Sequence, residues 1–185
     1  MFGKKFVTER LIIREYQKTD IDDFLRVVRQ PEIYVYTYGI PKKYSRERAR
    51  WWLETIQQNL KTDTAHEFAV TLKHNGCYIG NVGLINISKE HKRAEISYYT
   101  DKNFCNRGYT SEAAAEMLQY GFGKLKLNKI SGLCMSMNGA SRRVMEKIGM
   151  KAEGVQRQDL LKDGIYYDLD RLSILRNEFF TDCKP

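Results

Sequence analysis

The apolar positions of this chain fall into two rhythms, and the change between them marks out its elements. "RLIIREY" (10–16) is a β-branched run of strand type. "TDIDDFLRVVRQ" (19–30) then takes up helical spacing, with Thr19 expected at the N-cap and acids in the first turn. "YSRERARWWLETIQQNL" (44–60) predicts a second helix capped by Ser45, with Trp51 and Trp52 expected in the core. "EFAVTL" (67–72), "CYIGNVGLINI" (77–87) and "RAEISYYT" (93–100) predict three strands whose short connections favour an antiparallel meander.

Beyond Thr100 the period lengthens. Ala114, Leu118, Gly121 and Leu125 recur at helical spacing and predict a helix over Thr110–Leu125 with one apolar stripe. "NKISGLCMS" (128–136) reads as a buried strand, and "NGASRRVMEKIG" (138–149) as a short helix ended by Gly149 at C′. The long segment from Met150 to Asn177 reads as a hairpin turning at Lys162, Asp163 and Gly164. A strand–helix–strand–helix–strand order needs at least one right-handed crossover, hence some parallel pairing. The expected fold is α/β (α+β): a central mixed sheet of about seven strands with helices on both faces. With no linker, repeat or low-complexity tract to break the chain, residues 1–185 are expected to form a single domain.

Composition narrows the chemistry. Lys and Arg outnumber Asp and Glu by 31 to 23, a formal charge of +8, which suits a polyanionic partner. The charge is spread along the chain and no nucleic-acid motif accompanies it, so a phosphate-rich small molecule is expected and nucleic acid is not. Cys77, Cys105, Cys134 and Cys183 are scattered, and His66, His74 and His91 are not spaced as ligands; neither a disulfide framework nor a metal site is indicated. Cys105 and Cys134, without a histidine nearby in sequence, read as buried or incidental thiols rather than nucleophiles. No apolar leader and no run of 18 apolar residues occurs, so a cytoplasmic protein with no membrane partner is expected.

Three stretches carry candidate chemistry. In "NFCNRGYTSEA" a strand feeds a turn at Gly108 and then a helix, so unpaired N–H groups at the helix start point outward. Such a turn is an anion site, and without a Walker A or dinucleotide pattern it suits a pyrophosphate bound by main chain. In "MNGASRRVMEKIGM", Asn138 is a good helix cap. Ala140, Val144 and Ile148 are expected on the buried stripe, with Ser141 turned about 100° away from Ala140 towards a cleft. In "RAEISYY", alternation sets Glu95, Ser97 and Tyr99 apart from Ala94, Ile96 and Tyr98, which places a carboxylate on a strand that otherwise looks internal. A partner such as Lys92 or Arg93 would make it structural; a free carboxylate would be a general base.

In this order "TERLIIREYQKTDIDDF", "IGNVGL", "AEISYYTDKNFCNRGYTSEAAAEMLQYGF", "NGASRRVMEKIGMKAEG" and "KDGIYYDLDRLSIL" resemble the GNAT superfamily of acyl-CoA N-acetyltransferases over nearly the whole chain. More narrowly they resemble its ribosomal-protein N-terminal acetylating branch. The resemblance implies the GNAT fold, acetyl-CoA as co-substrate without a metal, and direct attack by an amine in a ternary complex. It places the family's Q/R-x-x-G-x-G/A pattern on Cys105 to Thr110, with Cys105 and Thr110 departing from it, and so assigns Asn106, Arg107, Gly108, Tyr109 and Thr110 to the coenzyme A pyrophosphate. It likewise implies a pantetheine contact for Asn138, a base role for Glu95, and for Ser141 either protonation of the leaving thiolate or cofactor contact. Tyr109 and Tyr120 stand as alternative acids. The implied acceptor is a protein N-terminal α-amine, with an amino acid, polyamine or antibiotic amine as the alternative. A binding module for acetyl-CoA or RNA is the non-enzymatic alternative. The chain is expected to be a monomer or homodimer.

Overall fold

The computed structural model describes residues 3–181. Cys183 lies outside them. Among the described residues eight strands form one mixed sheet: β1 (Lys5–Val7), β2 (Leu11–Arg14), β3 (His66–Leu72), β4 (Tyr78–Ser88), β5 (Arg93–Thr100), β6 (Lys129–Met135), β7 (Lys151–Lys162) and β8 (Ile165–Leu175). Their order is β1-β2-β3-β4-β5-β6-β8-β7, and only β5 with β6 runs parallel. The count exceeds the expected seven because three residues of the amino-terminal segment add β1 to the edge of β2. The meander and the crossover are as expected.

Six helices accompany the sheet among the described residues: α1 (Ile21–Val28), α2 (Pro31–Tyr36), α3 (Arg46–Thr62), α4 (Tyr109–Gly123), α5 (Gly139–Lys147) and α6 (Arg176–Thr181). Period-2 alternation sends Phe68, Val82, Leu84, Ile96 and Ile130 to one face, where Ala114, Met117 and Leu118 of α4 bury them. On the other face Tyr16, Ala69 and Tyr78 pack with Phe24 and Val28 of α1 and with Ala49, Leu53 and Ile56 of α3. Gly121 permits the close approach of α4, since a Cβ there would stand 2.7 Å from Ile130 Cδ1 and 3.0 Å from Leu84 Cδ1. None of these helices is long and apolar enough to cross a membrane.

Several local expectations are corrected. Thr19 does not cap α1: it lies in a 3₁₀ turn over Lys18–Asp20, and Asp20 accepts from Gln17 N at 2.7 Å. Asp20 is held there by Arg14, whose two Nη atoms donate at 2.7 and 2.8 Å. Trp51 is 61% exposed rather than in the core, whereas Trp52 stacks on Phe24 with ring centroids 4.5 Å apart. Ala140 is exposed at the head of α5, whose fully buried residue is Met145. Helix α2 was not among the expected elements. Ser45 does cap α3, accepting from Arg48 N at 3.1 Å.

One feature of the sheet creates the site. Strand β5 pairs with β6 only through Arg93, Ala94 and Glu95, after which the two diverge, while β6 stays with β8 as far as Met135. The main chain of β5 beyond Glu95 therefore faces an opening instead of a neighbouring strand.

Candidate active site

The opening is a cleft of about 560 Å³ with three walls. Ser97, Tyr98, Tyr99 and Thr100 of β5 form its floor; Leu133 and Cys134 of β6 with Asn138, Ser141 and Val144 around α5 form one side. Ile33, Tyr36, Thr37 and Tyr38 from α2 and the residues after it form the other.

At one end the turn before α4 presents main chain. Asn106 and Gly108 have φ of 59° and 79°, and Gly108 stands at the N-cap of α4 with no side chain capping it. Asn106, Gly108, Thr110 and Ser111 line the cleft, and the first-turn N–H groups, which have no intrahelical partners, stand at the positive end of the helix dipole. Thr110 does not crowd them, because its hydroxyl is tied to that of Thr100 at 2.7 Å. Buried Asp101 anchors the turn from below, accepting from Asn103 N at 2.9 Å and from the Arg26 guanidinium.

Cations surround this end. Lys102, Arg143 and Lys147 line the cleft, and Lys147 Nζ lies 4.0 Å from where a Cβ on Gly108 would be. Lys147 and Arg143 escaped the sequence reading, although their i, i+4 spacing on α5 puts both on one face. Arg107 lines a side groove with Arg10 and Lys147, not the main cleft, and its guanidinium sits 5.7 Å from the Phe104 ring. Tyr109 does not line the cleft; its ring lies under Arg10 at 4.6 Å. An uncapped helix start flanked by ammonium groups fits a pyrophosphate.

At the other end stands Glu95, half-buried and lining the cleft. Lys92 and Arg93 are exposed and are not its partners; the groups acting on its carboxylate are Arg171, Asn86 and Tyr38. Arg171 is itself paired with Glu153 at 3.5 Å. Burial raises the Glu95 pKa, while those three neighbours favour the ionised form. Two residues along, Ser97 Oγ is buried without a hydrogen-bond partner.

Between the two ends Tyr98 reaches Ser141, its Oη donating to the Ser141 carbonyl at 3.0 Å and lying 3.1 Å from Ser141 Oγ. Burial raises the Tyr98 pKa, so the phenol keeps its proton. Ser141 N in turn donates to Asn138 Oδ1 at 3.1 Å, and Asn138 Nδ2 donates to Tyr36 O at 3.1 Å, so both ends of that amide are engaged within the protein. Cys134, adjacent to Ser141, is pushed up to about 11 by burial and remains a thiol. Tyr120 does not line the cleft: it is buried elsewhere, its Oη 2.9 Å from His66 Nδ1.

Sheet splay, bare amide turn and a carboxylate across the cleft suit an acyl-CoA-dependent N-acetyltransferase. Residues 10–151 match the model of the acetyltransferase (GNAT) domain, and the chain belongs to that family. It is 33% identical to the uncharacterized N-acetyltransferase YnaD of Bacillus subtilis (strain 168), over 93% of this chain and 97% of the relative. Among the solved structures that share the fold are two with named acceptors. One is RimL, a ribosomal L7/L12 alpha-N-protein acetyltransferase in complex with coenzyme A, with a TM-score of 0.83, 17% identity, and coverage of 93% of this chain and 98% of that one. The other is spermidine N-acetyltransferase from Vibrio cholerae in complex with CoA and spermine, with a TM-score of 0.83, 21% identity, and coverage of 94% and 99%.

Proposed function

We propose that the chain is a single-domain cytoplasmic enzyme that acetylates the N-terminal α-amine of a protein or peptide. The observation that carries this reading is the acid content of the cleft. Among the described residues lining it, the carboxylates are Glu32 and Glu95, and Glu32 is already paired with Lys102 at 3.2 Å. That leaves one carboxylate for one ammonium, set among Ile33, Tyr38, Ile85 and Leu133. A polyamine brings several charges that need several acids when desolvated. Of the two fold relatives, the one named for an α-amine acceptor fits this arrangement better than the one named for spermidine.

The chemistry follows from the placement. The amine must lose a proton, the thioester carbonyl needs a hydrogen-bond donor, and the leaving thiolate needs a proton. Glu95 takes the amine's proton through a water, its raised pKa bringing it closer to neutral pH. The main chain of β5 beyond Glu95, released from β6, supplies an N–H to the carbonyl oxygen. Ser141, hydrogen-bonded to Tyr98, delivers the proton to sulfur. The amide turn at Asn106 to Thr110 holds the pyrophosphate and contributes positioning.

An α-amine of pKa about 8 is appreciably neutral at pH 7.5, while a lysine amine near 10.4 is neutral only about one part in a thousand. CoA release measured across N-terminal peptides, lysine amide, spermidine and an aminoglycoside therefore tests the proposal. N-terminal peptides should give the highest kcat/KM at neutral pH. A preference for spermidine by tenfold or more would reassign the acceptor.

A further inference from the structure

We infer that Lys162, at the tip of the β7–β8 hairpin, is a positioning residue that fixes the acceptor wall of the cleft by clamping the carbonyl end of α2. The inference rests on the amine-acetylating reading of the cleft, and not on which amine is used.

Helix α2 has six residues, too few to be stable by its own hydrogen bonds, yet it and Thr37 and Tyr38 wall the acceptor side. Its carbonyls are satisfied from outside. Lys162 Nζ donates to Tyr34 O, to Val35 O at 3.2 Å and to Thr37 O at 2.9 Å. Tyr36 O accepts from Asn138 at 3.1 Å, and Ile33 O from Thr37 N at 3.1 Å. Every carbonyl from Ile33 to Thr37 is thus taken, and the three donors of one ammonium meet three acceptors. The cation also lies 4.1 Å from the Tyr34 ring centroid, and Tyr34 Oη donates to Asp163 at 2.6 Å, so the hairpin tip grips the segment twice. A positive charge at a helix C-terminus is favourable in its own right.

The grip is long-range. Lys162 sits where Asp163 and Gly164, with φ of 51° and 77°, turn the hairpin, and that turn carries it to a helix some 125 residues earlier in the chain. What it fixes is functional, because Ile33, the clamped Thr37 and its neighbour Tyr38 line the acceptor side of the cleft. Loosening the segment would let Tyr38 and Ile33 withdraw, while the amide turn and α5 side of the cleft would stay in place.

The test uses the full chain with Lys162→Met, which keeps the stem and removes the ammonium. Kinetics on an N-terminal peptide and on spermidine, acetyl-CoA affinity by calorimetry, and amide hydrogen exchange are compared with the wild type. The expected result is an acceptor KM raised about tenfold with kcat within about twofold, acetyl-CoA affinity unchanged, and faster exchange confined to residues 33–38. Tyr34→Phe, which frees Asp163 but leaves Lys162, should shift KM the same way by about threefold and carries the test if Lys162→Met does not fold. Unchanged KM and exchange in the variant that folds, or an equal loss of acetyl-CoA affinity, overturns the inference. A wild type inactive on the peptide but active on spermidine would instead count against the α-amine reading alone, since the KM comparison is then made on spermidine.

Discussion

Tyr98 Oη lies 3.0 Å from the carbonyl oxygen and 3.1 Å from Oγ of Ser141, which joins the floor of the cleft to the helix on its side. The phenol, which keeps its proton, holds Ser141 at both its carbonyl and its hydroxyl, so the pair is expected to act as a unit. Ser141→Ala and Tyr98→Phe should each lower kcat about tenfold to a hundredfold, and the double variant little more than the worse single one. Steady-state kinetics at saturating acetyl-CoA decides it. Additive losses would mean that the two residues do separate work.

Glu95→Gln should reduce kcat/KM for the amine about a hundredfold and leave acetyl-CoA affinity intact. Burial raises the carboxyl pKa, so the acid limb of the wild-type kcat/KM profile should lie above the ordinary value of 4.5 and flatten in the variant. Turnover within twofold of wild type would leave Glu95 a structural partner of Arg171.

Gly108→Asp should abolish most of the stabilisation that acetyl-CoA confers, which for the wild type is about 2.7 kcal/mol at a hundredfold excess over Kd. Two effects contribute: an L-residue at φ 79° and a carboxylate beside the pyrophosphate. Gly108→Asn separates them, because asparagine tolerates this backbone and carries no charge. Thermal shift with and without ligand should rank Gly above Asn above Asp. An unchanged shift in Gly108→Asp would move the pyrophosphate elsewhere.

Glu67 on β3 gives a prediction about pH. Its pKa is raised by burial from 4.5 to about 7, opposed by a 3.4 Å hydrogen bond from Asn81 Nδ2. The folded state then keeps a proton that the unfolded chain loses, so stability should fall as pH rises from 4.5 through 7. Glu67→Gln removes that cost and should be more stable than wild type by about 1–3 kcal/mol at pH 8, with little difference at pH 4.5. Urea unfolding at the two values measures it; equal curves at pH 8 would show that the carboxylate is solvated.

What depends on near neighbours was legible in the order of the residues. Period-2 and period-3.6 runs gave the strands and long helices, Ser45 its cap, Gly108 and Gly149 their positive φ, and the turn before α4 its amides. These follow from local sterics and from the spacing of side chains on one segment. Family resemblance then attached chemistry to Glu95, Asn138 and Ser141, all of which line the cleft.

The rest depends on neighbours that the folded sheet brings together. Tyr98 shares the parity of Ala94 and Ile96 and would be buried with them if β6 ran alongside, but the strands part after Glu95 and turn it into the cleft. Arg171, not Lys92 or Arg93, faces Glu95 because β8 lies beyond β6, a neighbour set by sheet order rather than by sequence distance. Trp51 faces solvent because α3 buries the face bearing Ala49, Leu53 and Ile56. Helix α2 was invisible for the same reason. Its residues cannot sustain a helix alone, and Lys162 and Asn138, which complete its hydrogen bonds, reach it only after the hairpin and α5 have folded against it.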